Sequence, residues 1–224
     1  MELTTKKTQP AVPECLNREP ELLKKIVFGF LIIFFFVCAA FSQQTAEQRF
    51  SGFANVQTIE SSFEMKEYVS IADRPFVSSG RFYFRKPGSL KWEYLPPFNR
   101  GFLINGNKIF SWEEKGGKKE IKDISSKHAA KAMALQLYAF ISMDKSKISK
   151  TYKIEDSEDG MVLFPADDSE KQAVSKINIF FRKDIAAVKE AEIISKNGDK
   201  SVISFFDTKI NEALPQSVFE IENE

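Results

Sequence analysis

The spacing of apolar and polar positions changes period along the chain. Thr45 to Gln57 carries Phe50, Phe53, Ala54 and Val56 at near-helical spacing, which predicts one amphipathic helix. Beyond it the period falls to two. Between Phe76 and Lys86, Phe82 and Phe84 alternate with Arg81, Tyr83 and Arg85; after Pro87-Gly88, Leu90, Trp92 and Tyr94 alternate with Ser89, Lys91 and Glu93. A strand with one buried face needs this alternation, and Pro-Gly supplies the turn between two of them. Tight-turn pairs then recur between apolar runs, at Asn105-Gly106, Gly116-Gly117, Asp159-Gly160 and Asn197-Gly198. They predict successive hairpins and hence an antiparallel meander.

One segment interrupts the strands. Ser126 to Ser142 is rich in Ala and places Ala130, Met133, Ala134, Leu137 and Ile141 on one helical stripe with Phe140 beside it. A helix laid on a sheet closes a core or roofs a pocket, and periodicity does not separate the two. The acidic run Asp167-Asp168-Ser169-Glu170 is expected to be a solvated loop.

The N-terminal part is different in kind. Ile26 to Phe41 is a run of sixteen residues without a charge, preceded by Lys24-Lys25 and followed by Ser42-Gln43-Gln44. At 1.5 Å per residue it spans roughly 24 Å, short of the ~30 Å hydrocarbon core, which favours the apolar region of a secretory signal over a permanent span. Ala40-Phe41-Ser42 fits small-x-small cleavage, so residues 1–42 are expected to be a signal peptide with a long polar start, cleaved near Ser42, and residues 43–224 the exported domain. An uncleaved anchor is the alternative. Cys38 lacks the preceding Leu and small residue of a lipoprotein signal, so lipidation is not expected.

Charge and chemistry narrow the function. The chain carries 32 Lys+Arg and 31 Asp+Glu; residues 1–42 hold five and four of these, leaving 27 of each in the expected mature part. No basic excess is left to neutralise a phosphate backbone. Both cysteines, Cys15 and Cys38, lie in the expected leader, and His128 is the one histidine, so neither a usual zinc set nor an imidazole-dependent triad is available. Phe76 stands where a nucleophile elbow at Ser78 would need its first glycine. No dinucleotide or Walker glycine loop occurs. Sixteen of the 22 Phe follow Ser42, together with both Trp and all five Tyr. Aromatic wealth, a covering helix and little chemistry together point to an apolar ligand and to no cofactor or metal.

The stretch from Gly80 to Tyr94, then Pro96-Pro97 and Leu103-Ile104-Asn105-Gly106, resembles the periplasmic outer-membrane lipoprotein carriers of the LolA type. Supporting pieces are the inserted helix, Phe164-Pro165, Ile177-Asn178-Ile179, Asn197-Gly198-Asp199 and Leu214-Pro215 before Phe219. The resemblance implies an unclosed antiparallel β-barrel with an N-terminal helix and a helical lid on the concave side. It implies a non-enzymatic, monomeric periplasmic carrier that shields lipoprotein acyl chains, taking them from an inner-membrane donor complex to an outer-membrane acceptor. The expected lipid-binding residues are Phe82, Phe84, Leu90, Trp92, Tyr94, Met133, Leu137, Phe140 and Ile141. The family's functional arginine before the turn proline corresponds here to Lys86, with Arg85 one place earlier, so Lys86 is the expected lid latch. A lysine offers a point charge where arginine offers a fork of donors. Two alternatives stay open: a lipid- or glycolipid-binding module of the same fold with another amphiphile as ligand, and an exported hydrolase using a carboxylate pair.

Overall fold

The computed structural model describes residues 45–166 and 168–221, without the side chains at positions 128–130, 132, 133, 169 and 170. The expected signal peptide lies outside the described residues. Eleven strands follow in order: β1 (Thr58–Tyr68), β2 (Phe76–Arg85), β3 (Ser89–Tyr94), β4 (Arg100–Asn105), β5 (Lys108–Lys115), β6 (Lys118–Asp123), β7 (Tyr152–Ser157), β8 (Gly160–Pro165), β9 (Val174–Phe181), β10 (Val188–Ser195) and β11 (Lys200–Ile210). Helix α1 (Ala46–Gly52) precedes them. Helices α2 (His128–Ile141) and α3 (Lys145–Thr151) lie between β6 and β7, α4 (Asp168–Ala173) lies between β8 and β9, and a 3₁₀ turn (Gln216–Phe219) follows β11.

All strands form one antiparallel sheet in the order β6-β5-β4-β3-β2-β1-β11-β10-β9-β8-β7. First and last strands pair in its middle, and the two free edges, β6 and β7, are joined by the segment containing α2 and α3. The barrel is therefore unclosed. Trp112 of β5 and Ile177 of β9 line one cavity although seven positions separate these strands in the sheet. At ~4.8 Å per strand a flat sheet would hold them more than 30 Å apart, so this one curls around its contents.

Local chemistry explains the turns. Gly116 and Gly117 both have positive φ, +58° and +74°, as a two-residue type I′ connection requires. At the β4–β5 hairpin Asn105 pairs with Lys108, so the turn residues are Gly106 and Asn107. Asp159-Gly160 also differs from expectation. Ser157 pairs with Gly160, which makes Glu158-Asp159 the turn. Gly160 is needed instead because a Cβ there would meet the backbone oxygen of Ile179 on β9.

Helix α1 is shorter than its apolar spacing suggested. Thr45 and Gln48 form a reciprocal capping box at its start, with Gln48 Oε1 accepting from the Thr45 N–H at 3.0 Å. Phe50 and Phe53 are buried against the sheet. Helix α2 matches the expected segment within two residues at its start and one at its end. Asp168 begins α4 rather than belonging to a loop, which corrects the reading of the acidic run: Lys171 pairs with Asp168 one turn on, at 3.0 Å. Helix α3 was not foreseen. Asp144 caps it and Ile148 anchors it in the core. Among the described residues no helix is long and apolar enough to cross a membrane.

Candidate functional site

Two adjoining cavities lie between α2 and the sheet. The inner recess, about 90 Å³, is walled by α2, the end of α1 and the inward residues of β1, β2, β3 and β9–β11. The outer cavity, about 710 Å³, continues past β4, β5 and β6. Trp92, Leu137, Phe140, Ile177, Ile193 and Ile203 line both, so they form the wall the two spaces share. The outer volume falls within the ~300–1,000 Å³ common for small-molecule sites.

The parity of the strands explains this lining. Along β2, Gly80, Phe82 and Phe84 turn inward while Arg81 is exposed. Phe63, packed on Trp92 with ring centroids 4.2 Å apart, occupies the space that a side chain at Gly80 would need. Phe82 also stacks with Trp92, centroids 5.6 Å apart, and Phe205 meets both rings edge-on. The result is an aromatic floor under α2.

The residues singled out from sequence fall into distinct places. Phe82 and Ile141 line the inner recess, Tyr94 lines the outer cavity, and Trp92, Leu137 and Phe140 line both. Phe84 and Leu90 are completely buried and line neither; Phe84 packs on Tyr138 of α2, with centroids 5.3 Å apart. The side chain of Met133 lies outside the described residues. Lys86 Nζ donates to the carbonyl oxygens of Phe53 at 3.1 Å and Ala54 at 3.4 Å. It therefore grips the chain just past the C-terminal end of α1, where the negative end of the helix dipole favours a cation. Its acceptors lie directly after α1, not on α2. Helix α2 is held by a neighbouring group, the Gly88 N–H, which donates to Tyr138 Oη at 2.8 Å.

The half of the wall supplied by Ile177, Ile193, Ile203 and Phe205 was not named from sequence. Ile177-Asn178-Ile179 does alternate, but which face of β9 turns inward depends on its register with β10 and β8.

The mouth of the outer cavity is polar. Arg100, Glu113 and Glu120 stand in one cross-strand row, and Ser111 and Lys122 in the next. Glu113 is ion-paired with Lys115 at 2.8 Å and Glu120 with Lys122 at 3.5 Å. The hydrogen bond and charge of Lys115 hold the Glu113 carboxyl below its ordinary value. A general acid needs the opposite shift. Among the described residues no three His, Cys, Asp or Glu side chains gather as a metal site requires.

An unclosed eleven-stranded antiparallel barrel with an apolar cavity under an inserted helix defines the class of protein. The family model described as outer membrane lipoprotein carrier protein LolA matches residues 54–222, and the chain belongs to that family. It is similar to the outer-membrane lipoprotein carrier protein of Pseudomonas paraeruginosa, 25% identical over 177 residues, covering 78% of this chain and 82% of that protein. A Pseudomonas putida protein of the same name is 24% identical over 168 residues, covering 74% and 78%. Among solved structures, a LolA superfamily protein from Nitrosomonas europaea aligns with a TM-score of 0.41 and 12% identity, covering 80% of this chain and 98% of that one. The Pseudomonas aeruginosa MucA/MucB complex aligns at 0.48 and 10%, covering 79% and 60%.

Proposed function

We propose that the protein is a periplasmic, non-enzymatic carrier that shields the acyl chains of lipoproteins in the cavity under α2 and delivers them towards the outer membrane. The observation that carries this reading is the continuous apolar wall shared by the inner recess and the outer cavity. Exposing an acyl chain costs about 0.8 kcal/mol per methylene, so a sixteen-carbon chain crossing water unshielded faces on the order of 12 kcal/mol. Aromatic and aliphatic side chains offset that cost.

Release needs no chemistry. Helix α2 meets the cavity through Leu137, Phe140 and Ile141, and is fastened to the turn after β2 by Tyr138. Displacing it trades apolar contacts within the protein for contacts with cargo. Loading is assigned to an inner-membrane donor complex and unloading to an outer-membrane acceptor, with the carrier exported after cleavage near Ser42 and acting as a monomer. Family membership and the names of the similar proteins support the lipoprotein-carrier role within this proposal. A hydrolase working through a carboxylate pair is disfavoured by the lowered Glu113 and the lysine partners of both cavity glutamates.

Native mass spectrometry of protein purified from the periplasm tests the proposal. Bound lipid or lipid-modified protein is expected. A ligand-free protein that also fails to take up diacyl lipid from micelles would overturn it.

A further inference from the structure

The inner recess carries one polar feature that an unspecific acyl sleeve has no use for. Apart from the Trp92 indole, its lining is hydrocarbon except for two hydroxyls, Ser61 on β1 and Thr208 on β11, whose oxygens are 2.8 Å apart. Their position comes from a break in strand parity. Ile203 and Phe205 face the cavity, so strict alternation would turn Asp207 inward next. Instead the register between β1 and β11 shifts: Glu60 pairs with Lys209 and Ser62 with Phe206, leaving Ser61 opposite two residues. Asp207 takes a φ of +52° and is exposed, Thr208 lines the recess, and Ile210 packs on the core. This β-bulge aims a hydroxyl into the cavity and an aspartate out of it.

The hydrogen bonds leave Thr208 able to serve a ligand. Ser61, 2% exposed, reaches the carbonyl oxygens of Phe206 at 3.0 Å and Ser62 at 3.1 Å as well as Thr208 Oγ1. Its proton therefore has a backbone acceptor without Thr208, and the Thr208 hydroxyl proton is left to choose between Ser61 and an oxygen in the recess.

We infer that Ser61 and Thr208 are specificity-determining residues that recognise an oxygen on the bound acyl group, either a chain hydroxyl or the carbonyl of an acyl ester. This rests on the carrier reading and narrows its ligand class. A neutral hydrogen bond in an apolar recess is expected to favour the oxygenated ligand by roughly 2- to 12-fold.

Two matched pairs test it, by displacement of a fluorescent acyl probe: palmitate against 3-hydroxypalmitate, and the ether lipid 1-O-hexadecyl-lysophosphatidylcholine against palmitoyl-lysophosphatidylcholine. The first pair isolates a hydroxyl, the second an ester carbonyl. Wild type is expected to prefer the oxygenated member of at least one pair. Thr208→Val, nearly isosteric, is expected to abolish that preference while leaving the affinity of the other member within about twofold, and Thr208→Ser to retain it. Equal binding within both pairs, or a Thr208→Val loss that falls alike on all four ligands, would overturn the inference. Failure of wild type to bind any of the four would overturn the carrier reading along with it.

Discussion

The Gly88 N–H donates a 2.8 Å hydrogen bond to the Tyr138 hydroxyl, so the turn that follows β2 is fastened to helix α2. Two residues earlier on the same turn, Lys86 holds the end of α1. One Pro-Gly connection thus clamps both helices that border the inner recess.

Tyr138→Phe removes the acceptor but keeps the ring against Phe84. The ligand-free protein should lose about 1 kcal/mol of stability, the usual worth of one hydrogen bond. A fastening made only when the recess is narrow competes with cargo, so acyl-probe affinity should rise several-fold. Probe titration and denaturant melts check both; unchanged affinity would mean that α2 does not move on binding.

At Lys86 the expected effects run in opposite directions. Lys86→Arg offers more fixed donors to the Phe53 and Ala54 carbonyls and should favour the closed, empty form, whereas Lys86→Leu should give tighter binding and slower release. Stopped-flow release of the probe compares the three proteins. Indistinguishable rates would sink the latch and leave the cavity untouched.

Leu137→Glu and Phe84→Ala should separate cavity wall from core. Leu137 is half-buried beside open volume, so a glutamate there can point into the outer cavity and should abolish acyl binding with a small change in melting. Phe84 is fully buried, and its truncation should cost about 3–5 kcal/mol. Melts paired with probe binding decide this; outright unfolding of Leu137→Glu would make α2 part of the core.

Gly160→Ala tests the sheet itself. An added methyl would press on the Ile179 backbone, which cannot swing aside as a side chain can. A loss of ~3 kcal/mol is expected, lowering Tm by roughly 6–12 °C. A melting curve like that of wild type would show that β8 and β9 are not so closely paired.

The strands from β2 to β5 and the helices α1 and α2 were legible because alternation, helical spacing and turn residues agreed there. Strand β6, Lys-Lys-Glu-Ile-Lys-Asp, carries one apolar residue on a free edge and shows no alternation to read. Helix α3 has a single buried anchor, Ile148, too little for a periodic signal. At the site, Trp92, Leu137 and Phe140 are apolar by local pattern, and the family resemblance marks them as cavity residues. Separating them from the equally apolar Phe84 and Leu90 needs the depth of each residue under α2, which is a tertiary property. Thr208 was hidden for another reason: a bulge inverts which residues of β11 face inward, and the sequence around Asp207 does not announce it.

A carrier of this kind must hold the acyl chains of a whole lipoprotein, not only a free lipid. The direct test dilutes a detergent-solubilised lipid-modified protein below the critical micelle concentration in the presence of the purified carrier, followed by gel filtration. A soluble one-to-one complex is expected, and its loss in Leu137→Glu. Sedimentation of the lipoprotein as aggregate, while the same carrier preparation still binds free acyl probes, would contradict it.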